Sequence, residues 1–94
     1  MKRKLKTGRN IDRDVVLCKT YNFHAGRSLC RCLIEASIPF KKEIRHIPFF
    51  MRESHNGNDE ICIISINRNQ YHNARRTLDG LDRKYKDRLL INPL

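Results

Sequence analysis

The sequence predicts a single α+β domain with the element order β-α-β-β-α-β and one antiparallel sheet. Three observations support this prediction. A chain of 94 residues has room for one domain. Three apolar, strand-like runs and a short fourth alternate with two stretches of helical periodicity. Pro48 falls in the second of these runs, and proline is tolerated at the edge of a sheet but not at its centre.

The first half of the chain is typical of a strand followed by a helix. Residues 15–21 begin with a β-branched run and predict a strand buried on most of its surface. Asn22 is well suited to cap the next helix. One stripe of that helix is apolar and its members are Ala25, Leu29, Cys32, Leu33 and Ala36. Pro39 disfavours helical geometry before it, so the helix is expected to end around Ser37.

The second half predicts two further strands and a turn. Residues 40–51 alternate poorly and include Pro48, which predicts an edge strand over this whole range. Residues 54–59 supply a turn, in which Asn56-Gly57 is the strongest hairpin signal of the chain. Residues 60–66 are apolar on both faces and predict a central third strand.

A second helix and a last strand complete the pattern. Asn67 and Gln70 have the spacing of a capping box. Apolar residues then recur at steps of three and four, at Tyr71, Ala74, Leu78, Leu81 and Tyr85. This helix is expected to break or bend at Gly80, and residues 89–93 predict a short strand. With right-handed crossovers, these elements close as a ferredoxin-like sheet with both helices on one face.

Charge divides the chain into two parts. The formal net charge is +10, and half of it lies in residues 1–13. This segment has no apolar periodicity before Ile11 and predicts a mobile basic arm. Residues 14–94 are predicted to be the single ferredoxin-like domain, which is mildly basic and has an acidic stretch over residues 53–67.

From their positions and spacing, the cysteines are predicted to pack in the core and not to form a metal centre. The chain has no apolar run long enough to cross a bilayer and no secretory signal, so the prediction is a cytoplasmic protein with reduced thiols. Cys18 and Cys62 fall in predicted central strands, and Cys30 is expected to be the most reachable thiol. The spacing of cysteines and histidines matches no zinc motif, and no cofactor is predicted.

Two enzyme families of this size and fold were compared with the sequence. Acylphosphatases hold phosphate in a glycine-containing cradle that ends in Arg, and Arg27 stands at a helix start. The glycine spacing of residues 22–27 differs, however, and residues 40–43 lack the required Asn. The metal-dependent nuclease subunits of CRISPR adaptation need an Asp at the end of the first strand, where Tyr21 and Asn22 stand instead. An enzyme is therefore not predicted.

Two segments carry a resemblance to a known family. Residues 25–39 contain a helix that ends in a Leu-x-Glu-x-x-x-Ile-Pro type phrase, and residues 71–78 contain an x-x-Ala-x-x-x-Leu phrase. Over residues 14–81 the chain resembles small bacterial signal-transducing proteins with a ferredoxin-like fold. The resemblance implies a non-enzymatic regulatory or adaptor domain that acts through protein–protein interaction.

The edge strand is the predicted partner-binding surface. An exposed edge offers backbone groups for strand addition, and apolar residues beside it offer anchors. The candidate residues are Lys41, Lys42, Arg45, Phe49, Phe50 and Met51. At least one of the two phenylalanines is instead expected to pack under the hairpin. A homodimer through sheet edges or faces is also expected, with Leu17, Ile61 or their neighbours partly open.

Nucleic-acid binding is the alternative function. Clustered basic residues are typical of contacts with phosphate groups. The candidates are Lys2, Arg3, Lys4, Lys6, Arg9, Arg75, Arg76, Arg83, Lys84 and Lys86. The predicted first and third strands lack the aromatic residues on which bases stack, so any contact would be with the nucleic-acid backbone. The same charge also suits a solvated surface that keeps a small domain soluble.

Overall fold

The computed structural model describes residues 14–92 and shows one four-stranded sheet with helices packed on it. Its elements are β1 Asp14–Thr20, α1 Phe23–Glu35, β2 Phe40–His46, β3 Glu60–Asn67, α2 Tyr71–Asp79, α3 Arg83–Lys86 and β4 Leu90–Ile91. Short 3-10 helices occupy Phe49–Met51, Glu53–His55 and Arg68–Gln70. The predicted basic arm, residues 1–13, and residues 93–94 lie outside the described range. Between residues 14 and 92, no helix has the length and apolar character to span a membrane.

The strands lie in the order β2-β3-β1-β4, and every neighbouring pair is antiparallel. β1 and β3 therefore occupy the centre, and β2 lies at an edge. β1 pairs along its length with β3, apart from a register shift between Val16 and Cys18. This bulge turns both Leu17 and Cys18 toward the helices, where both are fully buried. The expectation that Leu17 is partly open is therefore wrong.

The main core lies between the helices and one face of the sheet. Its fully buried side chains include Leu29 and Leu33 of α1, Leu78 of α2, and Ile64 and Ile66 of β3. Burial of each such side chain contributes about 2 kcal/mol to folding. Cys18 and Cys62 belong to the same cluster, which confirms their predicted core positions.

Local signals define the ends of α1. Asn22 is the N-cap, and its Oδ1 accepts a hydrogen bond from the Ala25 N–H at 2.9 Å, which confirms the predicted cap. At the other end, Ser37 takes a left-handed conformation with φ 60°. Its N–H donates to Ile34 O, and the N–H of Ile38 donates to Leu33 O. These bonds satisfy carbonyls of the last turn and turn the chain toward β2.

The edge strand is shorter than the predicted range of residues 40–51. β2 ends at His46, because Pro48 has no N–H to continue a ladder, and the next residues form a 3-10 turn in which the Met51 N–H donates to Pro48 O. Asn56 and Gly57 both have positive φ, as a turn requires. They lie within a long connection over residues 47–59 rather than in a two-residue hairpin.

The second helical stretch is interrupted at the predicted glycine. α2 ends at Asp79, Gly80 is its C-cap, and α3 begins at Arg83. β4 is only two residues long, but Asn92 strengthens its attachment to β1. The Asn92 N–H donates to Leu17 O at 3.0 Å, and its side-chain amide donates to Val16 O at 2.8 Å. The Tyr71 hydroxyl donates to Asn92 O and so connects α2 to the same point.

Candidate interaction surface

The outer side of β2 presents backbone groups that β3 does not use. The Ile47 N–H donates to Asp59 O at 2.7 Å, and the two residues lie opposite each other in the ladder. Hydrogen-bonded pairs alternate along an antiparallel ladder, so Arg45 and Glu43 also direct their backbone groups toward β3. Lys42, Ile44 and His46 then direct theirs outward. In residues 14–92, no strand lies beyond β2 on that side.

Beside this edge stand two exposed aromatic rings. Phe49 is 78% exposed and Phe50 is 73% exposed, so the expectation that one of them packs under the hairpin is wrong. The two rings contact each other edge to face, with centroids 5.9 Å apart. Met51 is also exposed. We call Phe49, Phe50 and Met51 the aromatic tip. Their 3-10 turn ends the alternation of the strand, and it leaves the two phenylalanine rings more exposed than Met51.

Charges of opposite sign alternate along one face of β2, at Lys41, Glu43 and Arg45. Arg45 Nε lies 3.0 Å from Glu43 Oε2, and Lys41 Nζ lies 3.2 Å from Asp14 Oδ2. These three β2 side chains lie on the sheet face opposite the helices, which we call the open face. Lys42 and Ile44 lie on the helical face, where Ile44 is 48% exposed. The predicted residues Lys41, Lys42 and Arg45 therefore belong to one strand but to two faces.

The open face carries a second, smaller apolar cluster. Ile47, Ile61 and Ile63 are buried there, and Val16 and Tyr21 pack against them. Ile61 was expected to be partly open, but it is only 8% exposed and belongs to this cluster. The three isoleucines, Met51 and His55 border a pocket of about 230 Å³. Its rim includes the cations Lys19 and Arg45.

The contact that holds the long connection onto the open face was not predicted from the sequence. The Tyr21 hydroxyl lies 2.7 Å from His55 Nδ1, and the two rings meet edge to face. The pair joins the end of β1 to the second 3-10 turn of the connection. Their separation of 34 residues leaves no local pattern that could have predicted it.

The chain was compared with protein-family models, with curated proteins and with solved structures, and no match was found. The resemblance to small signal-transducing proteins stays a prediction.

The basic residues proposed for nucleic-acid contact lie away from β2. Arg75 and Arg76 belong to α2, and the remaining described candidates belong to α3. Arg75 Nη1 donates to the Tyr71 hydroxyl at 2.9 Å, and Lys86 Nζ lies 3.5 Å from Asp79 Oδ1. Two of these cations therefore already have partners within the domain. The candidates Lys2, Arg3, Lys4, Lys6 and Arg9 lie outside the described residues.

The cysteines form part of the helix–sheet core. Burial raises the pKa of the Cys18, Cys30 and Cys62 thiols, and the nearby Lys42 ammonium opposes this shift at Cys30 and Cys62. Cys30 was expected to be the most reachable thiol, but it is only 8% exposed, while Cys32 is partly exposed. Between residues 14 and 92, no group of three or more His, Cys, Asp or Glu side chains is placed to hold a metal ion.

Proposed function

We propose that this protein is a small, non-enzymatic interaction module with a ferredoxin-like fold. The sheet order β2-β3-β1-β4, together with a core shared by α1, α2 and one sheet face, supports this topology. In this proposal a protein partner binds at the β2 edge and at the aromatic tip. The module is proposed to act in regulation or as an adaptor, in the cytoplasm, in agreement with the family resemblance.

The exposure of Phe49 and Phe50 is the observation that carries the proposal. Two neighbouring phenylalanines that are each about three-quarters exposed cost solubility and contribute little to the core. Aromatic side chains of this kind are enriched at protein interfaces, because their burial contributes much of the binding energy. Their position beside an edge strand favours a partner that binds both features together.

The two parts of the surface have different roles in this proposal. The outward backbone groups of Lys42, Ile44 and His46 would pair with an added strand and supply affinity that depends little on the partner's sequence. The aromatic tip would supply apolar anchors at the end of that strand. The edge strand thus determines orientation, and the tip selects the partner.

The proposal is tested by comparing capture of proteins by the wild-type chain and by a Phe49→Ser, Phe50→Ser variant. Each chain is immobilised, incubated with lysate of the source cells, and the bound proteins are quantified by mass spectrometry. We expect the variant to lose the specific partner, since truncation of an interface anchor costs about 1 kcal/mol or more, and about 2 kcal/mol for the pair is roughly a thirtyfold loss in affinity. Phe23→Ser is the matched control, because Phe23 is also an exposed aromatic residue but lies at the start of α1.

A partner captured equally by the wild-type chain and the tip variant would contradict this proposal. Circular dichroism establishes that the variants fold, so that lost capture is assigned to the surface. Nuclease treatment of the lysate tests the alternative function. Binding that disappears with nuclease and not with the tip substitutions would show that nucleic acid is the partner, through the basic residues rather than the β2 edge.

A further inference from the structure

We propose that β2 pairs with β2 of a second copy of this chain, so that the two sheets join into one across a two-fold axis. This inference rests on the proposed function and names one partner for its edge strand. In the pairing, Ile44 lies opposite Ile44 of the second copy, and the two β2 strands run antiparallel.

The backbone of β2 is suited to this register. Ile44 directs its N–H and C=O away from β3, so two copies can exchange both bonds as a hydrogen-bonded pair. Lys42 then lies opposite His46 of the second copy, and both residues also direct their backbone groups outward. Every outward group over residues 42–46 thereby finds a partner, which is the requirement for a stable ladder.

The charges of β2 select the same register. When Ile44 faces Ile44, Glu43 lies directly opposite Arg45 of the second copy, and Arg45 lies opposite Glu43. All four side chains lie on the open face, where Glu43 and Arg45 of one chain already approach to 3.0 Å. The interface would therefore hold four charges of alternating sign, and opposite charges across an antiparallel pair are stabilising.

Neighbouring registers are disfavoured by the same side chains. A shift in one direction places Glu43 opposite Glu43 and Lys41 opposite Arg45. A shift in the other direction places Arg45 opposite Arg45. Like charges directly opposite one another are destabilising. Of these three registers, the one centred on Ile44 avoids the like-charge pairs. It places Glu43 of each copy opposite Arg45 of the other.

Apolar surface is covered in the same arrangement. On the helical face, Ile44 is 48% exposed and would contact Ile44 of the second copy. At each end of the paired strands, Pro48 of one copy reaches Phe40 of the other. The aromatic tip follows Pro48 directly and arrives where Pro39 and Phe40 border a pocket of about 320 Å³. The tip of each copy would thus have an apolar contact on the other.

The symmetry of this contact closes the assembly. The same edge is used by both copies, so the contact is isologous and stops at a dimer. The other edge of the sheet is β4, whose length of two residues makes it a poor template for further pairing.

Charge reversal tests the inference through sedimentation of the full chain over a dilution series. In Glu43→Arg, the new arginine of each copy lies opposite Arg45 of the other copy. In Arg45→Glu, the new glutamate of each copy lies opposite Glu43 of the other copy. We expect each variant alone to dimerise roughly tenfold to a hundredfold more weakly than the wild-type chain. A mixture of the two variants restores opposite charges at both positions and should form a heterodimer. The double variant Glu43→Arg, Arg45→Glu should dimerise by itself.

A control and a second readout identify the surface involved. Glu53→Arg makes the same charge change at an exposed residue outside β2 and should leave the dimer unaffected. In the wild-type dimer the amide hydrogens of Lys42, Ile44 and His46 should exchange slowly with solvent, and in Glu43→Arg they should exchange quickly. Urea unfolding of each variant establishes that the monomer is folded.

The outcomes separate this inference from the proposed function. A wild-type chain that stays monomeric at all concentrations, or a Glu43→Arg variant that dimerises as tightly as Glu53→Arg, overturns the dimer. If capture of another protein still depends on Phe49 and Phe50 in that case, the interaction module stands. A charge-sensitive dimer without tip-dependent capture supports the dimer and contradicts a separate protein partner.

Discussion

Cys18 shows how one residue connects the packing of the core to the pH dependence of stability. It lies in the central strand β1 and is fully buried. Burial raises its pKa to about 12 from the ordinary value of 9.0, and the neighbouring thiols of Cys62 and Cys30 add to the shift. The unfolded chain therefore releases this proton at a lower pH than the folded chain does.

The sign of the pH effect follows from that difference. Well below pH 9 the thiol is neutral in both states, and stability there does not depend on its titration. As the pH rises from 9 toward 12, the unfolded state ionises first, and this group lowers the free energy of unfolding by about 1 kcal/mol per pH unit. In Cys18→Ala we expect a smaller loss of stability over the same range, measured by urea unfolding. Equal losses in both chains would contradict this assignment.

Gly26 gives a second test at the scale of single residues. It lies inside α1, where a Cβ would stand 3.4 Å from Cys62 Sγ and from Thr20 Cγ2, at ordinary contact distance. Alanine has the higher helix propensity, so Gly26→Ala should raise the free energy of unfolding by about 0.5–1 kcal/mol. The measurement is chemical denaturation.

Gly57 supplies the opposite case for the same substitution. Its φ is +80° and nothing lies within 4 Å of a Cβ, so only backbone strain distinguishes glycine from alanine there. Gly57→Ala should lower the free energy of unfolding by about 1 kcal/mol. If both substitutions change stability with the same sign, the conformational argument at one of these sites is wrong.

At the scale of elements, the N-terminus of α1 depends on one side chain. Asn22 Oδ1 accepts from the Ala25 N–H, and the Asn22 N–H donates to the buried Thr20 hydroxyl. Asn22→Ala should lower the free energy of unfolding by about 1 kcal/mol, because the first turn of the helix loses its cap. Asn22→Asp retains an acceptor oxygen and should be close to wild type in thermal unfolding. A similar loss in both variants would show that the acceptor is not the cause.

The elements that the sequence predicted well are those determined by neighbouring residues. The Asn22 cap, the break at Gly80 and the positive φ of Asn56 and Gly57 all depend on short-range chemistry. The predicted edge strand over residues 40–51 is longer than β2, because Pro48 indicates a sheet edge in the sequence but lies beyond the end of the strand at His46 in the structure. An exposed phenylalanine cannot be distinguished from a core phenylalanine by sequence alone. The distinction requires the surroundings of the side chain in the fold.

Contacts between distant segments could not be predicted. Tyr21 meets His55 across 34 residues, and Asn92 meets Val16 across 76. The bulge that buries Leu17 also arises from the pairing of β1 with β3, and the sequence pattern of β1 alone does not predict it. The candidate surface was therefore foreseen as a strand and a set of side chains, while its register, its pocket and the exposure of its tip required the structure.

At the scale of the whole molecule, charge separates the two functions considered for this chain. Half of the net charge of +10 lies in residues 1–13, and the domain proper is only mildly basic. Deleting residues 1–10 should leave the fold intact by circular dichroism and remove affinity for mixed DNA and RNA, because phosphate contacts depend on this charge. Nucleic-acid binding that persists in the deletion variant and is insensitive to salt would contradict this prediction.

The sheet edge opposite β2 is formed by the short strand β4. β4 contributes two residues, and the backbone and side-chain amides of Asn92 complete its attachment to β1. Replacing Asn92 with alanine would remove the side-chain hydrogen bond to Val16 O and keep the backbone bond to Leu17 O, so β4 would be held to β1 more weakly. In the proposed dimer both copies use β2, so the attachment of β4 keeps the edge of β1 covered and the assembly closed at two copies.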